Sequence, residues 1–230
     1  MQLPARVAVF ASGGGSNLQA LIDRCRQPGA PAVVSLVVGS RPGIGALERA
    51  QREGIAAEII DARAPDGDPG GRMLALLDAH AIDLVVLAGY LSLIPAEVVE
   101  RFRGRMLNIH PALLPAFGGP GMYGLHVHRA VIDSGARVSG ATVHLVDDRY
   151  DEGRILAQWP VPVFSDDSPD ALAARVLAVE HRLLPATVLA VASGGGVPSD
   201  PAGSFALMDR DGPSAGELAA LFADFDSINR

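Results

Sequence analysis

The chain is poor in residue types that would each mark a class of protein. It has one cysteine, Cys25, in 230 residues. A single thiol excludes an intrachain disulfide and any metal site built from several cysteines. Basic residues are not in excess: 26 Asp and Glu against 19 Lys and Arg give a net charge of −7. Nucleic-acid binders normally show a basic patch, so that class is disfavoured. The apolar runs are too short to span a membrane. The first residues, Met1 to Arg6, lack the charged stretch and long apolar segment of a signal peptide. The expectation is a soluble, cytoplasmic protein with neither nucleic acid nor membrane as partner. Apolar residues are plentiful at 49%, enough for one large α/β domain or two small ones.

Residues 7–11 are a continuous apolar run that reads as a strand buried on both faces; 33–38 and 56–60 read as further strands and 84–88 as a very apolar one. Helical patterns separate them: Leu18, Leu21 and Ile22; residues 45–53, stopped by Gly54; and residues 72–80 after a Pro-, Gly- and Asp-rich loop over 61–71. Pro95 reads as the first position of another helix. This alternation predicts βαβ units and a parallel sheet. The second half reads as a glycine-rich loop (117–124), a helix (125–134), a strand (140–146), an acidic loop (147–153) and a strand (155–163). Pro160 and Pro162 put that last strand at a sheet edge. Ser168 caps a long helix reaching about residue 192, with Asp170 in its first turn. The predicted fold is α/β, a doubly wound, mostly parallel sheet with helices on both faces. The domain is expected over 1–192, and 193–230 as a linker plus a short helical tail beginning near Ser214.

Two stretches carry chemistry. In Met106-Leu107-Asn108-Ile109-His110-Pro111 a strand runs into a proline that cannot continue the ladder. Asn108 and His110 alternate with their neighbours and so share a face. The carboxyl end of a strand is where an open α/β sheet places its site. Their ordinary readings are a satisfied polar residue at a strand end and a turn residue before proline. The second stretch, Ser12-Gly13-Gly14-Gly15-Ser16-Asn17, links the first strand to the first helix. Free N–H groups and the helix dipole favour an anion there. Leu18 replaces the third glycine of the dinucleotide fingerprint, and no Lys-Ser/Thr follows as in a P-loop. Leu18 also breaks the Gly-x-Ser-x-Gly elbow of a serine hydrolase. What remains is a small phosphate site on Gly15, Ser16 and Asn17, or a tight turn and nothing more. His126 and His128 have no suitably spaced third ligand, so no metal site is expected.

With both motifs placed, the chain resembles the phosphoribosylglycinamide formyltransferases, folate-dependent enzymes of purine synthesis. The resemblance is carried by residues 12–20, Val86-Leu87-Ala88-Gly89-Tyr90, residues 107–115, Gly140-Ala141-Thr142-Val143-His144, Tyr150-Asp151-Glu152-Gly153 and Val179-Glu180-His181. It implies transfer of the formyl group of 10-formyltetrahydrofolate, as cosubstrate, to the amine of glycinamide ribonucleotide. The amine attacks directly through a tetrahedral oxyanion, with no metal, and a homodimer is compatible with it. By resemblance the catalytic residues are Asn108, His110 and Asp151, with Asn108 and His110 donating to the oxyanion. The ribotide phosphate falls on Gly15, Ser16 and Asn17, and a further substrate contact on Glu180. Folate falls on Leu91, Ser92, Leu93 and Ile94, on Asn108, and on Val146, Asp147 and Asp148. Thr142 and His144 are supporting residues. Without the resemblance, Asp151 reads as a turn residue, Glu180 as a solvated helix carboxylate, and His144 stays open between structural and supporting roles.

Three features depart from the pattern. The 117–124 loop is longer than in the shortest members. The arginine that reaches the folate tail has no clear match, since Asp66-Gly67-Asp68 is acidic, and Arg72 is the substitute considered. The tail after Ser193 matches no family role. The rival readings are a deformylase using water, a methionyl-tRNA formyltransferase, which adds a basic C-terminal domain, and a phosphate-binding module without catalysis.

Overall fold

The structure, a computed structural model, describes residues 3–62 and 67–194. The expected tail helix, most of the expected linker and part of the 61–71 loop lie outside these residues. The chain divides into two units, Met1–Val197 and Pro198–Arg230. In the first unit the elements run β1 (Ala5–Ala11), α1 (Ser16–Cys25), β2 (Ala32–Gly39), α2 (Gly45–Arg52), β3 (Ala56–Ile59), α3 (Pro69–Ala79), β4 (Leu84–Leu87), α4 (Ala96–Arg101), β5 (Met106–His110), α5 (Leu125–Asp133), β6 (Val138–Leu145), β7 (Ile155–Pro162) and α6 (Pro169–Ser193).

The strands form one seven-stranded sheet in the order β3-β2-β1-β4-β5-β6-β7. The first five are parallel, and β6 and β7 are antiparallel additions. Residues 7–11 of β1 have no solvent exposure, as the continuous apolar run requires. Ala8 and Phe10 pack with Met73 and Leu77 of α3 and Val98 of α4. Val7 and Val9, one position out of phase, face the opposite layer, where α1 packs on α6. The Phe10 and Tyr90 rings meet edge-to-face with centroids 5.4 Å apart. On β7, Pro160 and Pro162 lie opposite Gly140 and Val138 and leave the outer edge without two N–H donors.

Three sequence expectations need correction. Helix α3 starts at Pro69, not 72, because the Asp68 carboxylate accepts the Gly71 N–H and Pro69 occupies the first helical position. The glycines read as breakers sit inside that first turn. Pro95 is the N-cap of α4, with an extended ψ of 140°, and the helix begins at Ala96. Among the described residues, one helix is long and apolar enough to cross a membrane by length and composition, namely the 25-residue α6. Its Val176, Leu183, Leu184 and Val188 are buried among the other elements, so α6 is a core helix. Cys25 ends α1 half-buried, and burial pushes its thiol up to about 11, which keeps it protonated.

Phe10→Ala removes the central ring of this core. It should lower the unfolding free energy by about 3–5 kcal/mol, read from the urea midpoint at constant m-value.

Candidate active site

The chain leaves β1 toward β2 and β3, but leaves β4 toward β5 and the far edge. The carboxyl ends of β1 and β4 therefore form the switch point, where diverging loops open a crevice. Ser12 ties the two loops together. Its N–H donates to Gly89 O at 3.0 Å, and its Oγ accepts the Leu91 N–H at 3.0 Å. Nothing in the sequence separates Ser12 from the rest of its loop. A cleft of about 520 Å³ opens here.

At one end of the cleft is the N-terminus of α1. Gly15 is its N-cap with φ +73°, and no side chain caps the helix. A Cβ on Gly15 would stand 2.7 Å from Ala46 Cα, so the position needs glycine for both conformation and space. The uncapped amides and the absence of acidic residues in the first turn suit an anion. Asn17 lines the cleft, whereas Gly15 and Ser16 are not on its wall. Asn17 Nδ2 donates to Glu180 Oε2 at 2.6 Å, and Asn17 Oδ1 is buried without a hydrogen-bond partner. Glu180 reaches the cleft from α6 and is 7% exposed, not a solvated helix carboxylate. Burial pushes its carboxyl up to about 7, against the opposing hydrogen bond from Asn17.

At the other end, β5 and β6 set a polar cluster by their antiparallel register. Asn108 lies opposite His144, and His110 opposite Thr142. Asn108 Nδ2 is 3.0 Å from His144 Nε2 and 3.4 Å from Asp151 Oδ1. His110 Nδ1 is 3.5 Å from Asp151 Oδ2, and His144 Nε2 is 3.5 Å from Asp151 Oδ1. Two backbone carbonyls decide the tautomers, because a carbonyl can only accept. His144 Nδ1–H donates to Leu145 O at 2.8 Å, so its Nε2 accepts from Asn108. His110 Nε2–H donates to Phe117 O at 2.8 Å, so its Nδ1 lone pair faces Asp151. Asp151 also accepts the Gly119 N–H at 2.9 Å. Phe117 and Asp151 both have φ +57°, in the left-handed region that disfavours a side chain. The 117–124 loop thus begins bonded to the cluster, and Gly119 to Leu125 continue along the cleft wall.

Burial lowers the His110 pKa below 6.5, outweighing the opposing pull of Asp151 and Phe117. Burial pushes the Asp151 carboxyl upward, yet the His144 and His110 rings and the Gly119 N–H hold it below the usual carboxylate value. At neutral pH the pair is a neutral imidazole beside an ionised carboxylate. His128 of α5 also lines the cleft, buried, with Nδ1 unpartnered. Burial, with the His110 charge adding to it, lowers His128 to about 4. In the sequence, His128 stands out only through its spacing from His126, as a metal-ligand candidate.

Leu91, Ser92, Leu93 and Ile94 line the cleft mouth, with Leu91 and Leu93 exposed and Ile94 buried. Val146, Asp147 and Asp148 face them from the loop after β6. Thr142 does not reach the cleft. Its hydroxyl donates to Ala112 O at 2.6 Å and accepts the Leu114 N–H at 3.1 Å, so it staples the turn that follows His110. Arg72 is exposed, contacts Ile59 O and does not line the cleft.

Residues 5–188 match the family model described as formyl transferase. The chain is 38% identical over 190 residues to the phosphoribosylglycinamide formyltransferase of Escherichia coli strain K12, covering 82% of this chain and 87% of that one. The chain belongs to the phosphoribosylglycinamide formyltransferase family. It is 48% identical over 181 residues to the chloroplastic phosphoribosylglycinamide formyltransferase of Arabidopsis thaliana, covering 77% of this chain and 62% of that protein. It thus spans less than two thirds of the length of the plant relatives it matches. Among solved structures, the phosphoribosylglycinamide formyltransferase of Brucella melitensis superposes with a TM-score of 0.76 at 42% identity, over 86% of this chain and all of that one. Glycinamide ribonucleotide transformylase 1 of Symbiobacterium toebii superposes with a TM-score of 0.77 at 39% identity, covering 83% of this chain and 89% of that one.

Glu180 gives a linkage test. Its folded pKa is raised from 4.5 to about 7, so the native state binds its proton more tightly than the unfolded chain. That stabilisation is complete below pH 4.5 and is lost as pH rises through about 7. Relative to Glu180→Gln, the wild type should lose roughly 2–4 kcal/mol across this window, measured by urea unfolding at each end.

Proposed function

We propose that the chain transfers the formyl group of 10-formyltetrahydrofolate to the amine of glycinamide ribonucleotide, a step of de novo purine synthesis. The observation that carries the reading is the convergence of Asn108, His110 and His144 on an ionised Asp151, in a cleft that Asn17 of the uncapped α1 N-terminus also lines. The names and overlap of the relatives support the substrates.

The amine lone pair attacks the formyl carbon, and the carbonyl π pair becomes an oxyanion. Asn108 supplies a donor: His144 holds one Nδ2 hydrogen, and the other meets Asp151 only at 3.4 Å, so it can turn to the oxyanion. His110 enters differently from the sequence expectation. Its only N–H is taken by Phe117 O, so it gives no free donor until Nδ1 gains a proton. Asp151 accepts the proton that the attacking nitrogen loses, directly or through Nδ1 of His110. Collapse restores the carbonyl and breaks the bond to the folate nitrogen, which keeps the electron pair and takes the proton. The apolar mouth at Leu91, Leu93 and Ile94 suits the flat pterin, and the uncapped α1 amides suit the ribotide phosphate.

Residues 1–192 are assigned as the catalytic domain. Compartment does not carry over from the relatives, two of which are chloroplastic by name.

The test is to follow tetrahydrofolate and formylated product from purified protein with 10-formyltetrahydrofolate, with and without glycinamide ribonucleotide. Turnover should require the ribotide, whereas formate release without it would make the chain a deformylase. Asn108→Ala should lower kcat by about 10²–10³, as loss of one oxyanion donor does, and Asp151→Asn should lose at least as much. kcat/KM should fall on the acid side as His110 protonates, with a midpoint below 6.5, and an acid limb with its midpoint at or above 6.5 would contradict the assignment.

A further inference from the structure

The wall behind the Gly13-Gly14-Gly15 loop is α2, and α2 grips that loop by its carbonyls. Ala46 N–H donates to Gly13 O at 3.1 Å. Arg49 Nε–H donates to Gly14 O at 2.8 Å. Arg49 Nη1 also donates to Gln19 Oε1 at 3.2 Å. Gln19 is itself held, because its Nε2 donates to Asp23 Oδ1 at 2.9 Å and to Glu53 Oε1 at 3.2 Å. The guanidinium is therefore pinned between the loop and α1. A planar fork suits this task, since Nε and Nη1 keep a fixed geometry relative to each other.

The consequence follows from peptide planarity. In a trans peptide the C=O and the following N–H point in opposite directions. Holding the Gly13 and Gly14 carbonyls on α2 turns the Gly14 and Gly15 N–H groups away from α2. A Cβ built on Gly13 or Gly14 meets nothing within 4 Å, so the loop has open space around these residues. The half-buried Arg49 also sets a permanent positive charge behind this anion-ready backbone.

We propose that Arg49 is a positioning residue for the ribotide phosphate: by holding the Gly14 carbonyl it aims the Gly15 N–H, and its charge strengthens the field at the loop. The inference rests on reading Gly15, Ser16 and Asn17 as the phosphate loop. It concerns binding of a phosphate monoester and leaves the chemical step to the Asp151 cluster.

The experiment compares glycinamide ribonucleotide with glycinamide riboside, which lacks the phosphate, as acceptors for the wild type and for Arg49→Leu and Arg49→Gln. Arg49→Leu should lower kcat/KM for the ribotide by about tenfold or more, mainly through KM, as loss of a charge-assisted bond predicts. For the riboside, kcat/KM should change less than about twofold, and so should KM for the folate. Arg49→Gln keeps a donor without the charge and should fall between. Equal losses on both acceptors, or no loss on either, overturn the proposal, because a general structural role would not separate them. If Arg49→Leu does not fold, Arg49→Gln decides: discrimination between the acceptors equal to that of the wild type overturns it. A wild type that treats both acceptors alike contradicts the phosphate loop itself. Wild-type discrimination that survives both substitutions contradicts only the role of Arg49.

Discussion

Two backbone carbonyls, those of Phe117 and Leu145, decide what the cleft can do. Each takes the single N–H of a buried imidazole and so presents the other ring nitrogen as an acceptor. For His144 that acceptor orients Asn108. For His110 it faces Asp151. The contacts to backbone are short, at 2.8 Å, while those from the side chains to Asp151 are 3.4–3.5 Å. The Gly119 N–H holds one oxygen of the Asp151 carboxylate at 2.9 Å, while its side-chain neighbours stand farther off, which leaves room for the proposed reaction at the other oxygen. The local backbone is shaped for this. A Cβ on Gly153 would stand 1.8 Å from Leu145 O, so the loop that carries Asp151 can pass the His144 tether only as glycine.

The sheet supplies distance and direction. β5 and β6 pair antiparallel, which sets Asn108 against His144 and His110 against Thr142. Thr142 then fixes the turn after His110, while His144 fixes Asn108. The switch point between β1 and β4 puts the α1 N-terminus beside the turn at 89–91, and Ser12 bonds one to the other. The α1 end of the cleft and the end at 89–94 are thus parts of one hydrogen-bonded frame, as the proposed alignment of two substrates requires.

Much of this was legible in the amino acids. The apolar run at 7–11, the prolines of β7 and the Ser168 cap each have a local cause that survives folding. Asn108 and His110 were legible together because strand alternation puts them on one face. Asp151 was not, without the family likeness, because a turn sequence looks the same wherever its carboxylate ends up. Glu180 was legible only through the family likeness, because burial of a helix face depends on what packs there, and Asn17 lies 163 residues away. The start of α3 was missed because Asp68 and Pro69 outrank the glycines that follow. The carbonyls of Phe117 and Leu145 leave no trace in residue type, yet they reverse the first role expected of His110, from donor to acceptor.

The measurement closest to the centre of this account is the ¹⁵N chemical shifts of the histidine rings in the folded protein at neutral pH. The account predicts a neutral His110 with its proton on Nε2, and in His144 an Nδ1–H held by Leu145 O with Nε2 accepting from Asn108. A charged His110 at that pH, or a proton on Nδ1 of neutral His110, would contradict it, because Asp151 would then face a donor and the imidazole could not accept the amine's proton.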